Sequence, residues 1–237
     1  NTPGYYILNN GRIYREFSDG ATKLPRVWAE NVIGDFLCRE LPVIRAEDAI
    51  SYVDTQAEAP FRSGSTCMQC HATMDQMAAT IRNSSMWTTS DQYCVENKGF
   101  NTLFRIQHSQ TLSDNGVVLS KKADPDYRKR TPLGKFYFRT YKGDLIDEFI
   151  VGPGELSQKL SKLEDTYLCL SKRYMSFLTG IDVSIYDWSA PGAQKGSSKD
   201  HEYRNFLINT AKKVKATGDM RQMIKDIISS KYFREGA

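Results

Sequence analysis

Three residues in the first third of the chain have the types and the spacing to hold a cofactor: Cys67, Cys70 and His71, in the order Cys-x-x-Cys-His. Covalent haem attachment requires two thiols that reach the two vinyl groups of one porphyrin, and an imidazole beside them that binds the iron. This spacing on the first turn of a helix places both sulfur atoms on one edge of the porphyrin. The motif therefore predicts one haem c, attached through the two cysteines, with His71 as the proximal ligand.

Three other chemistries use paired cysteines, and the sequence favours each of them less. A structural zinc site needs four ligands and usually a second Cys or His pair, whereas Cys38, Cys94 and Cys169 are isolated in the sequence. A thioredoxin-like redox pair belongs beside a strand–helix–strand pattern, and none surrounds Cys67. A local disulfide, or two reduced thiols, is the alternative without a cofactor.

The ligand on the opposite face of the iron has to come from a different segment. Met74 and Met77 lie within two turns of His71 on the same predicted helix, so we expect them to be core residues. We favour Met86 or His108 as the sixth ligand, and an open or water-bound site is the alternative. The remaining candidates are His201, Met175, Met220 and Met223.

The composition excludes some classes of partner. The 237 residues carry a formal charge of +4, with 40% hydrophobic and 25% charged residues, which is ordinary for a globular protein of one domain or two small lobes. The basic run 121–130 is interrupted by two aspartates and a proline, so it predicts a solvated loop and no nucleic-acid surface. No apolar run approaches the roughly 20 residues of a membrane-spanning helix.

No recognisable catalytic constellation accompanies the cysteine motif. The sequence has no Ser/His/Asp cluster and no Gly-rich phosphate loop. The neighbouring carboxylates Asp147-Glu148 and Glu164-Asp165 indicate surface charge. We therefore expect an electron carrier or a structural module more than a catalyst.

The apolar pattern predicts a mainly α fold with a β-rich middle part, α+β overall. The motif and the family resemblance given below imply that the helical core is cytochrome c-like and that the β-rich part is an insertion. Along the chain the fold divides into an N-terminal arm with the haem-attachment helices (1–85), the insertion (86–152) and C-terminal helices on the same core (153–237), all in one compact domain. The N-terminal part begins with a hairpin or extended arm. Its helices are predicted over 25–41, over 46–52 and from about residue 66.

The rest of the chain separates clearly into strand and helix patterns. Within the insertion, Asn115-Gly116 and Lys142-Gly143-Asp144 each predict a hairpin. After it, a stripe of Leu and Tyr predicts one long helix over 155–178 that ends at Gly180. Two further helices are predicted, over 200–217 and after Asp219.

Five segments together resemble the C-terminal cytochrome-like domains of unknown function in planctomycete-type cytochrome c proteins, which also occur in other Gram-negative bacteria. The resemblance runs from about Arg26 to Arg234 and is weakest over the insertion, where the family has a short segment. The family's usual Asp-Pro after the haem histidine is Asp75-Gln76 in this chain. The segments are 31–42, 65–75, 151–160, 167–180 and the tail from Asp219.

The resemblance implies a c-type haem and export to the periplasm or the outer envelope, directed by a signal peptide that this chain does not contain. The chain begins at Asn1 in a turn-rich stretch, so we expect a processed or excised fragment. Because Cys38 and Cys169 both fall on family-like segments, we predict a disulfide between them, with two buried free thiols as the alternative. Cys94 is then unpaired, and a bridge in which it replaces either partner is the other alternative.

Three functional hypotheses follow. The first is a monohaem c-type cytochrome domain that transfers single electrons to a periplasmic redox partner. The second is an interaction subunit of a larger cell-envelope assembly, in which the haem is mainly a core staple or is absent. Tyr137, Phe138 and Tyr141 suit pairing with such a partner, unless they pack a small second core. The third is a haem enzyme such as a peroxidase, which needs an open distal site.

Overall fold

The structure of this chain is a computed structural model. The described residues are 24–57, 59–81, 85–88, 102–105, 111–112, 118–120, 131–193 and 196–235. The predicted N-terminal arm, Cys94, His108 and the basic run 121–130 lie outside these residues, as does the side chain of Met86.

The described chain is mostly helical and has small antiparallel sheets, in agreement with the predicted mainly α class with some β structure. The α-helices are α1 Leu24–Leu37, α2 Ala46–Ile50, α3 Ser65–Ala78, α4 Gly152–Lys162, α5 Glu164–Thr179, α6 Ser198–Thr217, α7 Met220–Ser229 and α8 Lys231–Glu235. Short 3-10 turns at Pro60–Ser63 and Ala79–Ile81 flank α3.

All the described strands lie between Ser85 and Val151, close to the predicted insertion. They form three two-stranded sheets, β1–β2, β3–β4 and β5–β6. The first two pairs are antiparallel, and Ser85 of β1 lies opposite Arg105 of β2. The strands are β1 Ser85–Thr88, β2 Thr102–Arg105, β3 Thr111–Leu112, β4 Val118–Ser120, β5 Leu133–Arg139 and β6 Leu145–Val151.

Both predicted hairpins are confirmed. β3 and β4 flank Asn115-Gly116, and β5 and β6 flank the turn that contains Lys142-Gly143-Asp144. The amide of Thr140 donates to the carbonyl of Asp144 over 2.9 Å, and Gly143 has a φ of 91°, which residues with a Cβ rarely adopt.

Two compact units can be distinguished. Unit 1 contains the described parts of Asn1–Val32, Leu41–Phe138 and Ile146–Ser157. Unit 2 contains those of Ile33–Glu40, Arg139–Leu145 and Gln158–Ala237. The predicted sequence division at residues 85 and 152 stays a prediction.

Unit 1 has a core in which α2, α3 and β5 meet. The Tyr137 hydroxyl donates to the carbonyl of Asp48 over 3.0 Å, so the polar end of this buried ring is satisfied. The core residues are Ile44, Ala49, Met68, Ala72 and Tyr137, with Tyr52, Val53 and Phe61 packed against them. Because Tyr137, Phe138 and Tyr141 are all buried, these aromatics serve packing.

Unit 2 is built mainly from α5, α6 and α7. Its buried apolar residues include Leu168, Met175, Leu207, Val214 and Ile227. Cys38 and Cys169 form the predicted disulfide across 131 residues of sequence, with their Cα atoms 5.1 Å apart. α5 ends at Gly180 (φ 70°), as predicted.

The prediction of a single helix over 155–178 is wrong. Leu163 has extended backbone (φ −80°, ψ 135°) and separates α4 from α5. The first turn of α5 carries Glu164 and Asp165, which bind the hydroxyl and the amide of Tyr141 respectively. These long-range bonds, together with the favourable position of acidic groups at a helix N-terminus, stabilise a new helix start.

The predicted helix over 25–41 also ends early. α1 stops at Leu37, because Cys38 has a left-handed backbone (φ 51°) that cannot continue the helix. α2 likewise ends at Ile50, two residues before the predicted end. Among the described residues, no helix is both long enough and apolar enough to cross a bilayer.

The predicted surface position of Asp165 is wrong, since its side chain is buried in unit 2 and the residue is only 2% exposed. Burial raises the pKa of Asp165 to about 6, although the hydrogen bond from the Tyr141 amide and the charge of Arg39 favour the ionised form. The unfolded chain has the ordinary value of about 3.9. The folded protein therefore binds more protons between about pH 4 and pH 6, and this group lowers stability as pH rises through that window.

We expect Asp165→Asn to remove this part of the pH dependence, because asparagine keeps an acceptor for the Tyr141 amide and loses the charge. The contribution is about 3 kcal/mol across the window, at about 1.4 kcal/mol per pKa unit. Urea unfolding at pH 4.5, 5.5 and 6.5 measures it, and the exposed Asp182→Asn serves as the control. Parallel curves for wild type and Asp165→Asn would contradict this origin.

Candidate functional site

The Cys-x-x-Cys-His motif lies on the first two turns of α3, close to the predicted position. Cys67, Cys70, His71 and Met74 are spaced i, i+3, i+4, i+7 and so share one face of the helix. On this face Cys67 is exposed and the other three are half-buried. The opposite face, which carries Met68 and Ala72, is buried in the core of unit 1. The helix thus presents its two thiols and imidazole together on its more open side.

Both motif cysteines are free thiols in the structure. Burial raises the pKa of the Cys70 thiol, and the charges of Glu30 and Cys67 act in the same direction. A thiol with a raised pKa is a poorer nucleophile near neutral pH, whereas thioredoxin-like cysteines have a lowered pKa. Cys70 is therefore a weak nucleophile near neutral pH, and the two thiols lie together on one helix face.

His71 is held from two sides. Its Nδ1 is 3.2 Å from Oδ2 of Asp75, one helical turn on. Its ring stacks on Phe61, with the ring centroids 4.1 Å apart and 25° between the planes. Because an ionised carboxylate can only accept, Nδ1 carries the proton in this pair, and Nε2 keeps its lone pair. Within the described part of the chain, Nε2 makes no hydrogen bond.

Asp75 is a buried charge with two partners, and it is only 3% exposed. Arg26 binds it in a bidentate manner, with Nε 2.5 Å from Oδ1 and Nη2 3.1 Å from Oδ2. Burial alone would raise the pKa of Asp75, but the hydrogen bonds from His71 and Arg26, together with the charge of Arg26, outweigh it and hold the pKa below its usual value. The guanidinium of Arg26 also lies 5.2 Å from the centre of the Phe61 ring.

The residues fit the attachment of a haem on the open side of α3. The cavity that adjoins His71 is too small to hold even a water molecule, so it is not a haem pocket. A porphyrin would therefore lie against the face that carries Cys67 and Cys70. Its iron would take Nε2 of His71, the ring nitrogen that Asp75 leaves available.

No known protein family, curated protein or solved structure matches this chain. Among the described residues, no group of three or more His, Cys, Asp or Glu side chains is arranged to hold a metal ion. A c-type haem iron needs only one axial histidine from such a helix, since the porphyrin supplies the equatorial ligands. The geometry around α3 is thus the basis on which a function can be argued.

The other sequence candidates fall in different surroundings. Met77 is fully buried, which confirms its assignment to the core, whereas Met74 is only half-buried on the open face of α3. Met175 and Met223 are enclosed in the core of unit 2, where the hydroxyl of Ser171 contacts the sulfur of Met223 at 3.7 Å. His201 is exposed and meets the ring of Trp188 edge-on. The choice between Met86 and His108 stays a prediction.

Sequence reasoning missed Arg26, Phe61 and Asp75 as parts of this site. One signal was available for Asp75, because it is four residues after His71 and residues at that spacing meet on a helix surface. Arg26 is 49 residues from its partner, so no local pattern connects them.

Proposed function

We propose that this chain is a monohaem c-type cytochrome domain that transfers single electrons in the periplasm or at the outer envelope of a Gram-negative bacterium. The observation that carries the proposal is the joint presentation of two free thiols and an imidazole with an available Nε2 on one open helix face. A haem bound there would supply reversible one-electron exchange between ferric and ferrous iron.

The side chains around the motif have distinct roles in this proposal. Cys67 and Cys70 would carry the porphyrin through thioether bonds, and His71 would bind the iron through Nε2. Phe61 stacks on the imidazole and limits its rotation. The buried face of α3 packs on α2 and β5. This packing would restrain the helix to which the haem of a cytochrome-like core is attached.

The proposed compartment is supported by the Cys38–Cys169 disulfide. Structural disulfides persist in oxidising compartments such as the bacterial periplasm and are rare in the cytosol. Covalent haem attachment and a stable disulfide are thus compatible in one exported chain. A periplasmic redox protein is the proposed partner.

A second candidate is an interaction subunit of a larger envelope assembly, in which the haem is a core staple or is absent. One observation favours it: within unit 1, β6 exposes Phe149 and Val151 on one side of the strand, with Phe149 58% exposed. Exposed apolar residues on one side of a strand are typical of a surface that another chain covers.

The test is expression of the chain with an export signal in a host that matures c-type cytochromes. We expect a pyridine haemochrome spectrum of one covalent haem per chain, reversibly reduced and reoxidised by a small redox protein. We expect Cys67→Ala/Cys70→Ala to lose all covalent haem, because both thioether sulfurs are gone. Cys94→Ala, which removes a thiol outside the motif, should retain it.

The outcomes separate the candidates. A wild-type chain without covalent haem would overturn the cytochrome proposal. A haem that is attached but resists reduction by soluble redox partners would support the structural role.

A further inference from the structure

We propose that Asp75, positioned by Arg26, makes His71 an electron-rich iron ligand and thereby lowers the reduction potential of the haem. This inference rests on the proposed function. In it Asp75 and Arg26 are positioning residues, because neither would touch the iron. Their effect would pass through the imidazole of His71.

The first step is the orientation of the ligand. The contact between Nδ1 of His71 and Oδ2 of Asp75 at 3.2 Å places the ring proton on Nδ1. Stacking on Phe61 restrains the plane of the same ring. One tautomer in one orientation is therefore prepared before any metal binds, with Nε2 as the nitrogen that can bind a metal.

The second step is the charge. An imidazole that donates its other N–H to a carboxylate is a more basic ligand than one that donates to a neutral group. Asp75 is almost completely buried, so water screens its charge poorly. Arg26 offsets part of this charge, so Asp75 would act on the iron mainly through its hydrogen bond to His71. A more basic imidazole stabilises the ferric form, which carries one more positive charge than the ferrous form.

The third step is the role of Arg26. Its two hydrogen bonds to Asp75 use both carboxylate oxygens, so the carboxylate cannot rotate freely away from His71. The ion pair with Arg26 also lowers the free-energy cost of burying the charge of Asp75 in unit 1. Arg26 therefore preserves the hydrogen bond on which the effect of Asp75 depends.

The inference is tested by the reduction potential of the haem-loaded chain, measured by spectroelectrochemistry. We expect Asp75→Asn to raise the ratio of reduced to oxidised protein at a fixed potential at least tenfold, which for one electron is about 59 mV. We expect Asp75→Glu to keep a potential closer to wild type, because it keeps the charge. Asp54→Asn is the matched control, since it removes a carboxylate of unit 1 that pairs with Arg62 and makes no bond to His71.

A second measurement does not depend on the stability of any variant. Nitrogen-15 NMR of the full wild-type chain, prepared without haem, reports which nitrogen of His71 carries the proton. We expect the proton on Nδ1, and a proton on Nε2 alone would overturn the inference. A loaded chain whose potential is the same in wild type and Asp75→Asn would also overturn it, while leaving the proposed function intact. Failure of the wild type to attach haem would overturn the proposed function, and this inference with it.

Discussion

Gly134→Ala is expected to lower the free energy of unfolding by about 3 kcal/mol, the cost at the upper end of ordinary overpacking. A Cβ at this position would lie 2.3 Å from the carbonyl oxygen of Gln76 and 2.8 Å from Cγ2 of Thr80. The first of these atoms is backbone in the last turn of α3, so no side-chain rotation can relieve the clash. β5 and the helix that carries His71 would have to separate, and packing in the core of unit 1 would be lost.

The matched control for this prediction is Gly34→Ala. It adds the same methyl group inside α1, where the nearest atom to the new Cβ is a backbone oxygen at 4.0 Å. Alanine is a better helix former than glycine by about 1 kcal/mol, so this variant should be as stable as wild type or more so. Urea unfolding of the three proteins measures both effects. Equal stabilities for Gly134→Ala and wild type would show that β5 and α3 do not pack this closely.

The parts of the fold that follow from local pattern were predicted well. The periodicity of α3 predicted Met77 in the core, and Met77 is fully buried. Gly180 ends a helix because its left-handed conformation (φ 70°) is readily available to glycine, a property that is visible in the sequence. The turn at Lys142-Gly143-Asp144 follows from the same kind of local chemistry.

The features that were missed depend on contacts between distant residues. The break at Leu163 coincides with bonds from Tyr141 to the first turn of α5, which the leucine stripe does not encode. In the same way, Gly134 is a strand residue without special backbone geometry, and only the nearby atoms of Gln76 and Thr80 leave no room for a Cβ there.

The candidate site shows the same difference between features that follow from local sequence and features that depend on distant residues. Cys67, Cys70 and His71 are neighbours in sequence, so their common face follows from helix geometry. The second layer, in which Arg26 fixes Asp75 against His71, requires α1 to pack beside α3. Helix spacing predicts the contact between His71 and Asp75. It does not predict the ion pair with Arg26 that stabilises Asp75, because that pair depends on tertiary structure.

Removal of the Cys38–Cys169 disulfide is expected to lower the free energy of unfolding by about 3–5 kcal/mol. The bridge closes a loop of 131 residues, and the entropy lost by the unfolded chain grows with loop length. It joins the end of α1 to the buried side of α5, where Cys169 is 2% exposed. We expect Cys38→Ala/Cys169→Ala, measured by urea unfolding, to show this loss, and wild type treated with a reducing agent to show most of it.

A second variant at Cys38 tests the backbone conformation of this residue in the absence of the disulfide. Its φ of 51° is left-handed, a conformation that costs a residue with a Cβ about 1–2 kcal/mol and glycine almost nothing. Without the bridge, Cys38→Gly/Cys169→Ala should therefore be more stable than the double alanine variant by about 1 kcal/mol, despite the greater freedom of glycine in the unfolded chain. If the double alanine variant were the more stable of the two, the left-handed turn after α1 would not persist without the disulfide. The bridge would then create the end of α1 as well as stabilise it.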